Sequence, residues 1–353
     1  MQNILITLLL LVLFVVALVW KVKPRVNGKG FFDKDYTNTL KGICSIVVVF
    51  VHVPEVYQNP LQDALGSFAY VCVTGFFIVS AYGMQYSLEH NTKYLDSFPI
   101  NRLTSLLIPQ IIINIICWST YCFIREDNTI NMLWYLNRYV LVLLEYCALF
   151  YVVNLLAAKF LWKQRVCDFI MITFVVGSSL CLYLTKGDDV TNSAQIGWCY
   201  ERMGLVWGLL LYRNYNAIYQ WLSRGFKVKV VVMLLACAVL GVLYLKYKTM
   251  WFVGEYLLKI VLGIAVVLFY FILNQKFTLS NRITHVLGNI SYETYLAHAF
   301  VGYSIILIYP EVSSGVYIWC IIGITLALSY VVHKIDAPLV QGAKALLQRL
   351  LRK

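Results

Sequence analysis

Residues 40–55 read Leu40-Lys41-Gly42-Ile43-Cys44-Ser45-Ile46-Val47-Val48-Val49-Phe50-Val51-His52-Val53-Pro54-Glu55. The run predicts a membrane helix that opens on a cation and carries one histidine among apolar residues. An ionisable side chain inside a membrane span is expensive, and such residues mark functional sites. Lys41 and His52 are eleven positions apart; at about 100° per residue that is roughly three turns and 20°, so both face the same way. The rise between them is roughly 16 Å, which puts His52 near the middle of a hydrocarbon core of about 30 Å if Lys41 sits at its surface. Glu55, three positions beyond, falls on the same face of a continued helix, where it would orient or charge the imidazole.

The rest of the chain fits that reading. Of 353 residues, 61% are hydrophobic and 13% charged, with mean hydropathy +0.73. Soluble domains carry about 25% charged residues, so the composition indicates an all-α, polytopic membrane bundle. The net charge of +12 does not signal nucleic acid, because the basic residues lie in short segments between apolar runs. The ten cysteines show neither CxxC nor Cys/His ligand spacing, and the five histidines form no HxxxH pair, so no metal site is expected.

Residues 3–20 are almost wholly apolar and precede Lys21, Lys23 and Arg25; a cleaved signal peptide has the reverse order, so an uncleaved first helix is expected. A basic cytoplasmic loop over 21–41 follows. Ten further apolar runs begin near residues 42, 66, 104, 132, 167, 196, 230, 254, 286 and 316. Alternate connecting segments, taken as cytoplasmic, hold 22 Lys and Arg, against five in the others. That bias predicts ten or eleven helices with the N-terminus outside and the C-terminus cytoplasmic. The expected organisation is an extra helix at 1–20, the basic loop, a membrane domain over 42–335 and a basic tail over 336–353.

Several other polar groups interrupt the apolar runs. Glu201 and Arg202 are adjacent and face different directions, so they are expected to turn toward a cavity. Glu293 and His298 share one helix with Tyr295 between them; five residues is about 500°, so the two point about 140° apart and do not pair directly. Arg102 opens its helix on the same side as Lys41.

Lys41-x10-His52 resembles the Arg/Lys-x10-His signature of the acyltransferase-3 family of integral-membrane acyltransferases, which modify polysaccharides and other envelope sugars. Two later segments strengthen the resemblance. Thr74-Gly75-Phe76-Phe77-Ile78-Val79-Ser80-Ala81-Tyr82-Gly83 is similar to that family's GFFxxSGY run, with Ala81 where glycine is usual. Leu287-Gly288-Asn289-Ile290-Ser291-Tyr292-Glu293-Thr294-Tyr295-Leu296-Ala297-His298 is similar to its LGxISYxxYLxH run. Arg102 and Pro109 match an arginine-rich pattern before proline, with an uncharged residue near Ser105 where a second arginine is usual.

The resemblance implies a multi-pass protein of the bacterial plasma membrane. It would take an acyl group, by default acetyl, from acyl-CoA to a hydroxyl of an envelope or lipid-linked carbohydrate, with no tightly bound cofactor. Lys41 and Arg102 would then meet the phosphates of coenzyme A. His52 would act as general base or as a transient acyl acceptor, oriented by Glu55. His298, Glu293, Tyr295, Glu201 and Arg202 would line the substrate cavity. The alternative is a transporter or flippase for lipid-linked sugars, since midplane charges and interrupted helices serve transport as well. The H-x4-D motif of other acyltransferases fails, because position 57 is Tyr57.

Overall fold

Asp33 decides where the helix carrying Lys41 begins. In the computed structural model, which describes residues 2–24, 31–125, 130–185 and 198–350, α1 spans Gln2–Val19 and α2 spans Lys34–Val51. The Asp33 carboxylate accepts the Tyr36 backbone N–H at 3.0 Å and caps α2. The helix thus starts inside the segment expected to be a loop; residues 25–30 of that segment lie outside the described ones. Its polar first turns are held by packing: the Asn38 amide donates to the His285 carbonyl (3.2 Å) and to Asn289 Oδ1 (2.9 Å).

α2 also stops earlier than expected. Proline has no N–H and biases the preceding residue away from helical geometry, so Pro54 ends the helix at Val51 and His52 becomes its C-cap. Glu55 opens a separate 3-10 turn, Glu55–Tyr57, and does not continue the Lys41–His52 face. Its side chain lies outside the described residues. At about 1.5 Å per residue α2 is roughly 27 Å long, so Lys41 sits about two fifths of the way along and His52 at the far end, deeper than expected.

The chain continues through α3 (Pro60–Gly66), α4 (Tyr70–His90), α5 (Tyr94–Arg125), α6 (Arg138–Phe160), α7 (Gln164–Thr185), α8 (Met203–Arg213), α9 (Tyr215–Ser223) and α10 (Phe226–Tyr247). A π-helical turn, Val253–Leu258, leads into α11 (Lys259–Asn274); then come α12 (Arg282–Asn289), α13 (Ser291–Ile308) and α14 (Ser314–Leu350). Lys23–Pro24 and Phe277–Thr278 form a minimal antiparallel pair.

Among the described residues seven helical segments are long and apolar enough to cross a membrane, and the protein is a multi-pass helical bundle. The other four expected runs coincide with α1 and the shorter α8, both apolar, and with α2 and α13, 18 residues each, which carry the polar groups considered below. The run expected to begin near 196 is helical only from Met203. The expected tail after 335 is not separate from the last span: α14 runs on through Pro338 to Leu350.

Two close approaches fix the bundle around the site. A Cβ on Gly204 would lie 2.4 Å from the Thr74 carbonyl oxygen, and one on Gly208 2.4 Å from that of Ile78. The spacing Gly204-x3-Gly208 therefore seats α8 backbone to backbone on α4, the small-residue packing that membrane helices use where hydrophobic drive is absent. A Cβ on Gly288 would fall 2.2 Å from the Asn38 carbonyl oxygen, which seats α12 on α2. The outward faces carry exposed aliphatic side chains, such as Val231, Leu235, Val239 and Val242 on α10, suited to lipid.

Candidate active site

α13 brings the late motif against α2. The rings of His52 and His298 meet edge to face, with centroids 4.8 Å apart and planes at 70°. His52 Nδ1 donates to the Val48 carbonyl at 2.8 Å, and His298 Nδ1 donates to the Tyr295 carbonyl at 2.6 Å. A carbonyl oxygen only accepts, so each Nδ1 carries a hydrogen and each neutral ring presents a bare Nε2 lone pair. The backbone of each helix thus sets the tautomer of its own histidine. His298 is buried, 5% exposed; His52, on the cap of α2, is exposed.

A cavity of about 180 Å³ lies toward the N-terminal ends of α2 and α13. Lys41, Arg102 and Tyr295 line it, together with Ser80, Tyr139 and Ser291. Arg102 extends from α5, donates to the Tyr94 hydroxyl at 3.1 Å and lies over the Phe98 ring at 5.6 Å. On the side toward the histidines stand three mutually packed rings. Tyr295 is 4.9 Å from Tyr139 and 5.9 Å from Phe76, centroid to centroid, and Tyr139 is 6.0 Å from Phe76. The Tyr295 ring is in turn 5.7 Å from His298. Cations, aromatic cluster and imidazole pair follow one another along α2 and α13.

Glu293 turns away from His298 and toward α14. Its carboxylate accepts from His333 Nδ1 at 2.8 Å, and Asp336 Oδ1 lies 3.8 Å from the same nitrogen. Glu293 and Asp336 are 4% and 2% exposed. The three side chains offer ligand atoms within 4.8 Å of one another, a donor set able to hold a metal ion that spacing along the chain does not show. Glu201 and Arg202 lie in the turn before α8, apart from the Lys41–Arg102 cavity. Both are buried; Arg202 donates to Ser178 Oγ at 2.8 Å and to the Trp198 carbonyl at 3.2 Å, tying that turn to α7.

Sequence reading missed Ser80, Tyr139 and Ser291 as cavity walls. Ser80 and Ser291 stand inside the quoted motif runs, which was the available signal; Tyr139 on α6 carried none.

These features define a class: a multi-pass membrane protein with a cationic cavity on one side of a paired-histidine centre. A family model described as an acyltransferase domain matches residues 34–334, from the first turn of α2 into α14, and the chain belongs to that acyltransferase-3 family. No curated protein and no solved structure matches it.

Proposed function

We propose that the protein transfers an acyl group, acetyl by default, from acyl-CoA to a hydroxyl of an envelope or lipid-linked carbohydrate in the bacterial plasma membrane. The observation that carries this reading is the alignment of Lys41 and Arg102, then Tyr295, then the His298–His52 pair.

Loop charges assign the N-terminal end of α2 to the cytoplasm, where coenzyme A is found. Phosphates of the donor meet Lys41 and Arg102, one a mobile ammonium and the other a planar fork. The phosphopantetheine arm, about as long as four extended residues or roughly 14 Å, covers most of the roughly 16 Å rise from Lys41 to His52. The thioester would pass the Tyr295 ring, which stands between the cavity and His298. The acceptor approaches the exposed face of His52 from the far side.

The bare Nε2 of His52 takes the proton of the acceptor hydroxyl as its oxygen attacks the thioester carbonyl. The tetrahedral intermediate then expels coenzyme A thiolate by breaking the C–S bond. The imidazolium returns its proton to that sulfur, so the histidine ends neutral and the acceptor is an ester. His298 packs against His52 and holds its ring in place.

Proteoliposomes charged with labelled acetyl-CoA on the Lys41 side and envelope glycolipid on the other test the reading. It expects label on the glycolipid and free coenzyme A in equal amounts. Movement of unlabelled glycolipid without donor consumption would favour transport instead. Lys41→Ala and Arg102→Ala are each expected to raise the donor KM about tenfold, the loss of one charge-assisted contact, with a smaller change in kcat.

A further inference from the structure

We infer that Glu293, His333 and Asp336 bind one divalent first-row transition ion, Zn²⁺ or Mn²⁺, which clamps α13 to α14. The inference does not depend on the acyl-transfer reading. His333 and Asp336 are three positions apart on α14 and so share a face. Glu293, in the first turn of α13, meets that face. The His333 Nδ1 and one oxygen of each carboxylate lie within 4.8 Å of one another. Ligands held at about 2.1 Å stand roughly 3.0 Å apart around an octahedral ion and roughly 3.4 Å apart around a tetrahedral one. The separations from His333 Nδ1, 2.8 Å to Glu293 Oε1 and 3.8 Å to Asp336 Oδ1, bracket those values, so small side-chain rotations close the set on an ion. Asp336 lies beyond the span 34–334 that the family model matches, so the set is not contained in the matched domain.

Charge and burial define what the site takes. Two ionised carboxylates beside a neutral imidazole carry two negative charges, which one divalent ion cancels. Both carboxylates are buried, and buried charges are paired or bind metal. Among the described residues Glu293 Oε2 and Asp336 Oδ2 have no hydrogen-bond partner, which leaves both free to ligate. The single hydrogen on His333 Nδ1 serves only Glu293 Oε1 at hydrogen-bond distance. Of the nearby lysines, Lys41 acts on Glu293 through space from α2 but lines the cavity beside Arg102. Lys334 turns away to the Tyr330 ring, 5.4 Å from its centroid. An imidazole favours Zn²⁺ over Ca²⁺ or Mg²⁺, while carboxylates suit Mn²⁺ and disfavour Cu(I), so the mixed set fits a borderline-to-hard ion. The His333 side chain is 33% exposed, an open edge through which the ion enters and water completes its coordination. With the ion bound, the ring carries its hydrogen on Nε2 and turns the Nδ1 lone pair to the metal.

Metal binding to the full chain, purified in detergent with a tag that contains no histidine, tests this. After chelation and dialysis, Zn²⁺ and Mn²⁺ are titrated separately into the unaltered protein and into Asp336→Asn and His333→Gln, which keep polar side chains of similar size. His285→Ala, at an exposed histidine, serves as the control. One ion per chain is expected for the unaltered protein and for the control. Affinity in both ligand variants should fall by about 100-fold or more, beyond the loss of an outer-shell contact. Saturating ion should raise the unfolding temperature of the unaltered protein, and chelator should lower it again. Asp336→Asn should respond to neither at the same concentrations. Binding of equal strength in the unaltered protein and the ligand variants would mark an adventitious ion only and overturn the site. An unaltered protein that binds neither ion overturns it as well, however the variants fold, and leaves the two carboxyls to share a proton.

Discussion

Replacing His52 with alanine is expected to lower acyl transfer by about 10²–10⁴-fold, the span that a positioned general base contributes. The protein should still insert and fold, because His52 caps α2 with its backbone N–H and its ring is exposed. The expectation rests on a tautomer fixed by geometry. With Nδ1–H committed to Val48, only Nε2 is free to take a proton, and that nitrogen has no other bond partner among the described residues. His52→Gln makes the comparison sharper, since it keeps a polar side chain of similar reach but supplies no base. The measurement is initial rate of labelled acetyl transfer in nanodiscs, with size-exclusion profiles to confirm folding. Transfer within a factor of a few of the unaltered protein in both variants would remove His52 from the chemistry.

The second large effect is structural. Gly204→Leu is expected to cost about 3 kcal/mol or more, the upper range for overpacking, because its Cβ would fall 2.4 Å from a backbone oxygen that cannot swing aside. α8 would have to leave its backbone-to-backbone seat on α4. A thermal-unfolding midpoint in detergent reads this directly, with Gly83→Leu on the same bundle as the control. Gly83 faces open space, so its variant should unfold near the parent temperature, and equal midpoints for the two variants would refute the close-packing account.

How much of this was legible beforehand follows from the kind of interaction involved. Apolar runs are one-dimensional signals, so the bundle and its spans could be read from hydropathy and loop charge. Lys41, Arg102 and Tyr295 were nominated from motif runs, and the structure brings all three to one cavity. His298 was nominated in the same way, and it meets His52. The polar start of α2 misled because Asp33, Asn38 and Thr39 look like loop residues, yet Asn38 is held by α12 across 247 and 251 positions of sequence. Glu55 was assigned by extending a helix that Pro54 stops. Glu293 was placed in the substrate cavity because nothing in its own run reveals His333 and Asp336, which reach it from α14. Charge alone points Glu201 and Arg202 toward a cavity, whereas the turn before α8 ties Arg202 to Ser178 of α7.

Acyl transfer to an envelope carbohydrate through His52, as proposed, would leave its mark on the cell surface. Mass spectrometry of envelope glycans and glycolipids tests it most directly, comparing cells that carry the unaltered gene, no gene, or His52→Ala expressed at the same level. The expected result is a single added acyl mass, about 42 Da for acetyl in the default case, on one carbohydrate species in the first cells only. The same modification in cells with His52→Ala, or glycans identical in all three, would contradict it.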